Sequence, residues 1–549
     1  MEFLLSKLSL VGPFFLLLGV LIFIHEWGHF IVARMCGVRV ETFSLGFGPK
    51  ILKWKWGETD YCLSLIPLGG YVKMFGDGTE EDPLPESEHS KSFNHQSVWE
   101  RIAIVSAGPL MNLIFAFILF VSMGFFGAPE VSTQIGDVKK DSPAFSSGLR
   151  SGDTIVKVNG SEVEYFQGFT EKISAMQNGS NARLDVVSVD GSNKTVLAPV
   201  KIKENKSPLS TSKYVGIIEG INLIQASSKV GIDYRSPLRQ QGANSVETIS
   251  RVNSFKTKTL KDLNAALAKA DPTKSLILSV QKNKGESIDF KVSKNSPQPW
   301  TFENAGLVKP ELMVGQVRSG SPALDAGLSE GDQILSVNGK SLSEWPLLVE
   351  EIKGTSKGAS ATLVVGNKEG QKTIVVTPNQ TEILTATGQV EYRPTIGLAP
   401  ALEYLPPATK LKKVTGAADL IAYGVERSGY WISVTLAGFK KLLTGEVSHK
   451  TLSGVISIGK VARDSLDIGW SYFIKMMAII SINLFLLNLF PIPVLDGGHL
   501  LFYFAEVVKG SPVSLKTKII GQQIGVVLVM SLVVYTIFND FSRIVFSGW

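Results

Sequence analysis

The chain has 549 residues, a formal net charge of +6, 19 % charged residues and a mean hydropathy of +0.17. It is too long for one ordinary domain, oily for a soluble protein and too polar for membrane helices alone, so a few spans joined to soluble modules are expected. No basic stripe with interleaved aromatics is present, which argues against nucleic acid as a partner, and two cysteines, Cys36 and Cys62, do not make a disulfide framework.

In chain order, the first hydrophobic stretch covers 8–33. Lys7 is its one early basic residue and no small-residue cleavage site follows, so it reads as a retained span rather than a signal peptide. Further stretches cover 102–126, 472–494 and 519–538. Each is near the roughly 20 apolar residues that a bilayer core requires. Arg34, Arg39, Lys50, Lys53 and Lys55 follow the first stretch, and Lys509, Lys516 and Lys518 lie between the last two. The positive-inside rule then makes both loops cytoplasmic, with the termini and the long polar block on the other side. The cysteines fall on the reducing side, as free thiols.

The first span contains His25-Glu26-Trp27-Gly28-His29. Residues i and i+4 share a helix face, so both imidazoles can reach one zinc ion, with Glu26 beside them as a proton acceptor for an attacking water. Inside a membrane such residues are costly unless they have partners or a function; a polar patch facing a neighbouring helix is the plainer reading. Between spans one and two, 43–74 is rich in glycine, aromatics and alternating residues. It includes Gly46-Phe47-Gly48-Pro49 and Pro67-Leu68-Gly69-Gly70. A soluble hairpin is one reading of it.

The polar block repeats itself. Ser142-Pro143-Ala144, Gly148-Leu149, Gly152-Asp153, Ile155 and Val158-Asn159-Gly160 return as Ser321-Pro322-Ala323, Gly327-Leu328, Gly331-Asp332, Ile334 and Val337-Asn338-Gly339. A weaker copy has Ser236-Pro237, Gly242, Val246-Glu247 in place of Gly-Asp, Ile249 and Val252-Asn253-Ser254. Serine then proline caps and starts a short helix, glycine ends it, and Asn-Gly closes a hairpin. These segments resemble PDZ domains, whose sheet edge takes an extended peptide; spacer modules without a ligand are the alternative. Tyr214-Val215-Gly216-Ile217 and Asn304-Ala305-Gly306-Leu307 resemble the carboxylate-binding loop of that fold, with Gly216 and Gly306 as its glycines.

Before span three, 430–443 is apolar, too short to span and ends in Lys440-Lys441, as a helix at the membrane surface or an ordinary packing helix would. Span three ends in Asn488-Leu489-Phe490-Pro491-Ile492-Pro493-Val494-Leu495-Asp496-Gly497-Gly498-His499. Its prolines break the helix, which a membrane tolerates only where the backbone is buried in protein or lines a cavity. A catalytic zinc site needs a third ligand; Asp496 is the candidate and His499 its rival. Asn488, two turns earlier, can bind substrate backbone or pack through its amide.

These motifs, with Gly108-Pro109 and Asn112 in span two and Asn539-Asp540-Phe541-Ser542-Arg543 near the C-terminus, resemble the site-2 protease family of intramembrane metalloproteases. The resemblance implies Zn2+ bound by His25, His29 and Asp496, with Glu26 as catalytic base. Asn488 and the glycines Gly46, Gly48, Gly69 and Gly70 would lie along the bound substrate, the glycines in a sheet that dips into the membrane. Implied partners are single-span membrane proteins such as anti-sigma factors and remnant signal peptides, an upstream site-1 protease that trims them, and the lipid bilayer. The implied location is the bacterial inner membrane, with repeats and termini periplasmic and the active site toward the cytoplasm.

The expected fold class is a polytopic α-helical membrane protein of four transmembrane helices, with inserted tandem PDZ-like α+β domains and a membrane-associated β-sheet loop. The expected division is 1–130 for spans one and two with the β-loop, then 131–205, 206–295 (degenerate) and 296–390 for three PDZ-like modules. A linker with a surface helix at 391–470 and spans three and four at 471–549 complete it. The family more often carries two such modules, and Val455 stands where it usually has proline. A non-catalytic membrane-anchored PDZ scaffold is the alternative function; an ordinary soluble zincin is excluded because the motif lies in a hydrophobic span.

Overall fold

The computed structural model describes residues 2–77, 86–204, 214–282, 286–293, 298–355, 358–384 and 390–547, with side chains at all of these except 2–11, 67–68, 214, 382–384, 390 and 543–547. Lys7, Pro67, Leu68, Tyr214 and Arg543 therefore lie outside the described side chains, and the expected boundaries at 205/206 and 295/296 outside the described residues. The chain forms two compact units, Met1–Pro129 with Leu411–Phe541 and Glu130–Ser207 with Ser212–Lys410.

The first unit is helical because an apolar segment in lipid must satisfy its peptide groups internally. Its helices are α1 (Glu2–Met35), α2 (Val98–Phe126), α3 (Ala417–Leu443), α4 (Val455–Ile468), α5 (Trp470–Leu489), α6 (Asp496–Lys509) and α7 (Leu515–Ser547). Among the described residues, Gly12–Met35, Val98–Phe126, Trp470–Leu489 and Leu515–Ser542 are long and apolar enough to cross a membrane. Leu16, Ile118, Val527 and Phe538 point outward and exposed, a surface suited to lipid rather than water. Ser97 starts α2 with a reciprocal capping box to Glu100.

α5 stops at Leu489, short of the expected 494, because Pro491 and Pro493 cannot continue it. The segment expected at 430–443 is the second half of a 27-residue helix, α3. It packs against α2, with Gly424 set close to Phe117 and Val121, and the Thr435 hydroxyl donates to Asn483 Oδ1 on α5 at 2.8 Å. The region read as a linker with one surface helix also contains α4, which packs on α1.

Strands β1 (Val40–Trp56) and β2 (Thr59–Met74) each bend and pair twice. The register pairs Leu45 with both Gly70 and Leu63, and Lys50 with Ser64, so the runs lie in the order 70–74, 40–47, 59–66, 50–56. Gly48 (φ +84°) and Gly69 (φ +127°) sit at the bends, where a left-handed backbone favours glycine.

In the second unit each repeat has its own hydrophobic core. These cores run from Ile135 to Ile218, from Val230 to Leu307 and from Val314 to Ile396. Each repeat has a serine-capped helix after its first strand, at Pro143–Ser146, Pro237–Gln240 and Pro322–Asp325. Asn159, Asn253 and Asn338 all adopt positive φ, and their Oδ1 atoms accept from the backbone N–H groups of Arg183, Ile277 and Thr362. The degenerate copy keeps its carboxylate. Glu247 accepts from Asn244 N–H and pairs with Lys282 at 2.6 Å, as Asp153 accepts from Arg150 N–H and pairs with Lys194 at 2.7 Å.

The last strand of each repeat lies past the expected boundary, because it returns to pair with the first. Ile221–Asn222 pairs with Asp137–Val138, Leu307–Val308 with Lys229–Ile232, and Leu398–Pro400 with Val314–Val317. Before each returning strand a glycine at φ +99°, +72° or +80° abuts the capping serine: Gly220 on Ser142, Gly306 on Ser236, Gly397 on Ser321. Gly216 is therefore not the counterpart of Gly306. It lies on the preceding strand, Tyr214–Ile217, against the backbone of Ile173 and Ser174. The equivalent glycine is Gly220, and the third repeat has its own in Gly397.

The C-terminal motif fastens α7 to the start of α4. The buried Asp540 carboxylate accepts from Gly454 N–H and Ser457 N–H, both at 3.0 Å, and from the Ser457 hydroxyl at 2.5 Å. It satisfies donors that a helix start leaves open, so α4 begins at Val455 without a first-turn proline. Asp540→Ala leaves two buried amides without acceptors, at about 1–3 kcal/mol each. The thermal midpoint in detergent should fall clearly, and less for Asp540→Asn; unchanged midpoints would contradict the clamp.

Candidate metal centre

His25 and His29 are one helical turn apart on α1, so their rings share a face. Helix α2 approaches that face closely because small residues stand at the crossing. A Cβ on Gly28 would strike the carbonyl of Ala107, and one on Gly108 would strike the His29 ring. This contact seats His29 in one orientation, with Nδ1 2.9 Å from the Ile104 carbonyl. As the donor there, Nδ1 carries the proton and leaves Nε2 its lone pair.

Asp496 comes from the other side. Past Leu489 the chain turns through the two prolines and re-enters a helix at Asp496. Gly497 and Gly498 allow the tight return: side chains there would collide with the backbone of Leu489–Phe490 and Ile492–Pro493. Helix α6 is held to α2 by a buried bidentate pair, Arg101 to Glu506 at 2.7 and 3.2 Å, with the guanidinium 5.0 Å from the Tyr503 ring. α2 thus braces both the helix that carries His29 and the helix that begins with Asp496.

The three side chains converge. His25 Nε2 lies 3.3 Å from His29 Nε2 and 3.2 Å from Asp496 Oδ2, and His29 Nε2 lies 3.6 Å from Asp496 Oδ1. Tetrahedral zinc with bonds of 2.0–2.1 Å requires ligand atoms about 3.3 Å apart. The donor set also fits, since three protein ligands leave one position for substrate or water. Among the described residues this trio is the one group of three His, Cys, Asp or Glu side chains close enough for a metal, and His499 is not part of it.

The other residues singled out in the sequence spread around this centre. Glu26 points to the sheet, where its carboxylate accepts from the backbone N–H of Val72. Gly70 is the glycine of the sheet that reaches it: a Cβ there would come within 3.0 Å of Glu26 Cγ. Gly46, Gly48 and Gly69 serve the bends and close contacts of the sheet itself, Gly69 against the Phe47 ring. Asn488 is half-buried on the last turn of α5. Gly216 and Gly306 belong to the other unit. Asn112, known in the sequence only as part of a motif, stands with Nδ2 3.3 Å from His25 Nδ1. Nothing in one sequence marks that contact across 87 residues.

Known proteins resemble this chain over nearly its whole length. Residues 13–532 match the model of peptidase family M50. Regulator of sigma E protease of Haemophilus influenzae is 32 % identical over 98 % of this chain and 100 % of its own length. Regulator of sigma-E protease RseP of Escherichia coli is 30 % identical over the same shares. A Vibrio cholerae protein provisionally named a zinc metalloprotease is 32 % identical over 97 % of this chain and 98 % of its own length. The chain belongs to peptidase family M50, the site-2 protease family, and is a zinc metalloprotease.

If the α1–α2 approach seats His29, Gly108→Ala should fold yet lose most of its zinc on dialysis against a mild chelator. Gly19→Ala, with nothing within 4 Å of the added methyl group, should retain it. Elemental analysis of the purified proteins decides; equal zinc in both would contradict the packing argument.

Proposed function

We propose that this M50 zinc metalloprotease hydrolyses peptide bonds within the transmembrane segments of single-span membrane proteins, after their outer domains have been trimmed. The observation that carries the reading is the convergence of His25, His29 and Asp496 on helices of an apolar bundle. In this reading the three hold Zn2+, which supplies Lewis-acid polarisation of the scissile carbonyl and the attacking water. Glu26 takes the proton of that water and carries it to the leaving amide nitrogen. Val72 N–H holds the Glu26 carboxylate toward the sheet. The run 70–74 pairs with 40–45 on one side and has no strand partner among the described residues on the other. That edge can take an unwound substrate as an added strand, close to Glu26, with Asn488 as a further group that binds the substrate backbone.

The sigma-E names of the relatives suggest anti-sigma factors as substrates; remnant signal peptides as a second class and a site-1 protease acting first are further parts of this proposal. The clusters of Lys and Arg support an inner-membrane protein with the 43–74 and 509–518 loops cytoplasmic and the repeats periplasmic. We read the repeats as three PDZ-like modules. In the third, a cavity of about 320 Å³ lies between the helix Trp345–Lys353 and the strand Leu398–Pro400, lined by Leu348, Ile352, Arg318 and Arg393. Its apolar floor and guanidinium groups suit an extended peptide ending in a carboxylate.

Glu26→Gln keeps the side chain's shape and removes the base. It should keep stoichiometric zinc and lose at least 100-fold in cleavage of a tagged single-span substrate in detergent. Turnover near wild type would overturn the role of Glu26. Zinc-dependent activity on soluble peptides alone would overturn the substrate class.

A further inference from the structure

Asn112 on α2 is wholly buried, and its environment is incomplete. Nδ2 stands 3.3 Å from His25 Nδ1, the Ser481 hydroxyl donates to its backbone carbonyl at 2.7 Å, and its Oδ1 has no hydrogen-bond partner among the described residues. A buried carbonyl oxygen left unpaired costs about 1–3 kcal/mol. The contacts of His25 fix what the pairing means. With its proton on Nε2, a neutral imidazole donates to Asp496 Oδ2 at 3.2 Å while Nδ1 accepts from Asn112 Nδ2. When Nε2 gives its lone pair to a metal, the proton must sit on Nδ1, and Nδ1 then needs an acceptor. The group within hydrogen-bond distance is the Asn112 amide, and a half-turn about Cβ–Cγ presents Oδ1 where Nδ2 stood.

We infer that Asn112 is the positioning residue of His25, donating to Nδ1 in one tautomer and accepting from it in the metal-binding one. This rests on His25 being a zinc ligand, as proposed above. The orphaned oxygen is then the acceptor that the metal-binding tautomer uses. His29 needs no such device, because the Ile104 carbonyl is an acceptor only and already fixes its proton on Nδ1. The two histidines differ accordingly: His29 is set in advance, and His25 is set by an amide that works in both directions.

The test measures zinc affinity of the full chain in detergent by chelator competition, with elemental analysis. It compares wild type with Asn112→Leu, Asn112→Ala, Asn112→Asp and His25→Ala. Leu and Ala remove the acceptor and should weaken zinc binding about 10–100-fold, the usual effect of losing a group that orients a metal-binding histidine. Asp keeps an acceptor and should hold zinc within a few-fold of wild type. Ala adds no bulk, so it serves if Leu does not fold. Cobalt-substituted Asn112→Asp should keep the wild-type absorption bands. Wild-type affinity in Leu or Ala would overturn the inference, and so would an equal loss in Asp and Ala, which marks a packing role. Undiminished zinc in His25→Ala would instead overturn the ligand reading itself.

Discussion

The molecule depends on one constraint: two imidazoles and a carboxylate lie among helices that face lipid. Polar groups in such surroundings are expensive unless they satisfy one another or a metal. Here they approach one another at 3.2 to 3.6 Å, the spacing one zinc ion would set. Much of the first unit serves that approach. Gly28 and Gly108 let α2 come against α1, Gly497 and Gly498 let the proline-broken chain double back, and Arg101 with Glu506 ties the result to α2.

The same constraint explains why a small sheet sits beside an apolar helix. A transmembrane helix hides its peptide bonds in its own hydrogen bonds, so a protease that acts on one must offer those groups another partner. The run 70–74 has no second strand beside it among the described residues, and Gly70 brings that edge against Glu26 without a side chain between them. In the proposed mechanism, strand addition and proton transfer then take place at one position.

Some of this was legible in the sequence because it is local. The i, i+4 histidines, the four apolar runs, the Pro-x-Pro break and the repeated Ser-Pro and Asn-Gly turns each lie within a few residues. What was missed depends on the fold. Helix α4 is short and amphipathic, and its start is held by Asp540 from 83 residues further along the chain. Gly220 and Gly397 are marked as closing glycines only by their contacts with Ser142 and Ser321, far back along the chain, whereas the segment around Gly216 resembles a carboxylate-binding loop in sequence without making that contact. Val246-Glu247 looked like decay, yet Glu247 keeps both its turn and its lysine, one methylene longer than aspartate.

The central claim is that zinc is held by two histidines of one helix and an aspartate that begins another. X-ray absorption at the zinc edge, measured on the full chain in detergent, tests it most directly. The account predicts two imidazole nitrogens and a carboxylate oxygen at about 2.0–2.1 Å, with the oxygen contribution reduced in Asp496→Asn and the wild-type spectrum unchanged in His499→Ala. A third imidazole in the wild-type spectrum that disappears in His499→Ala would contradict it.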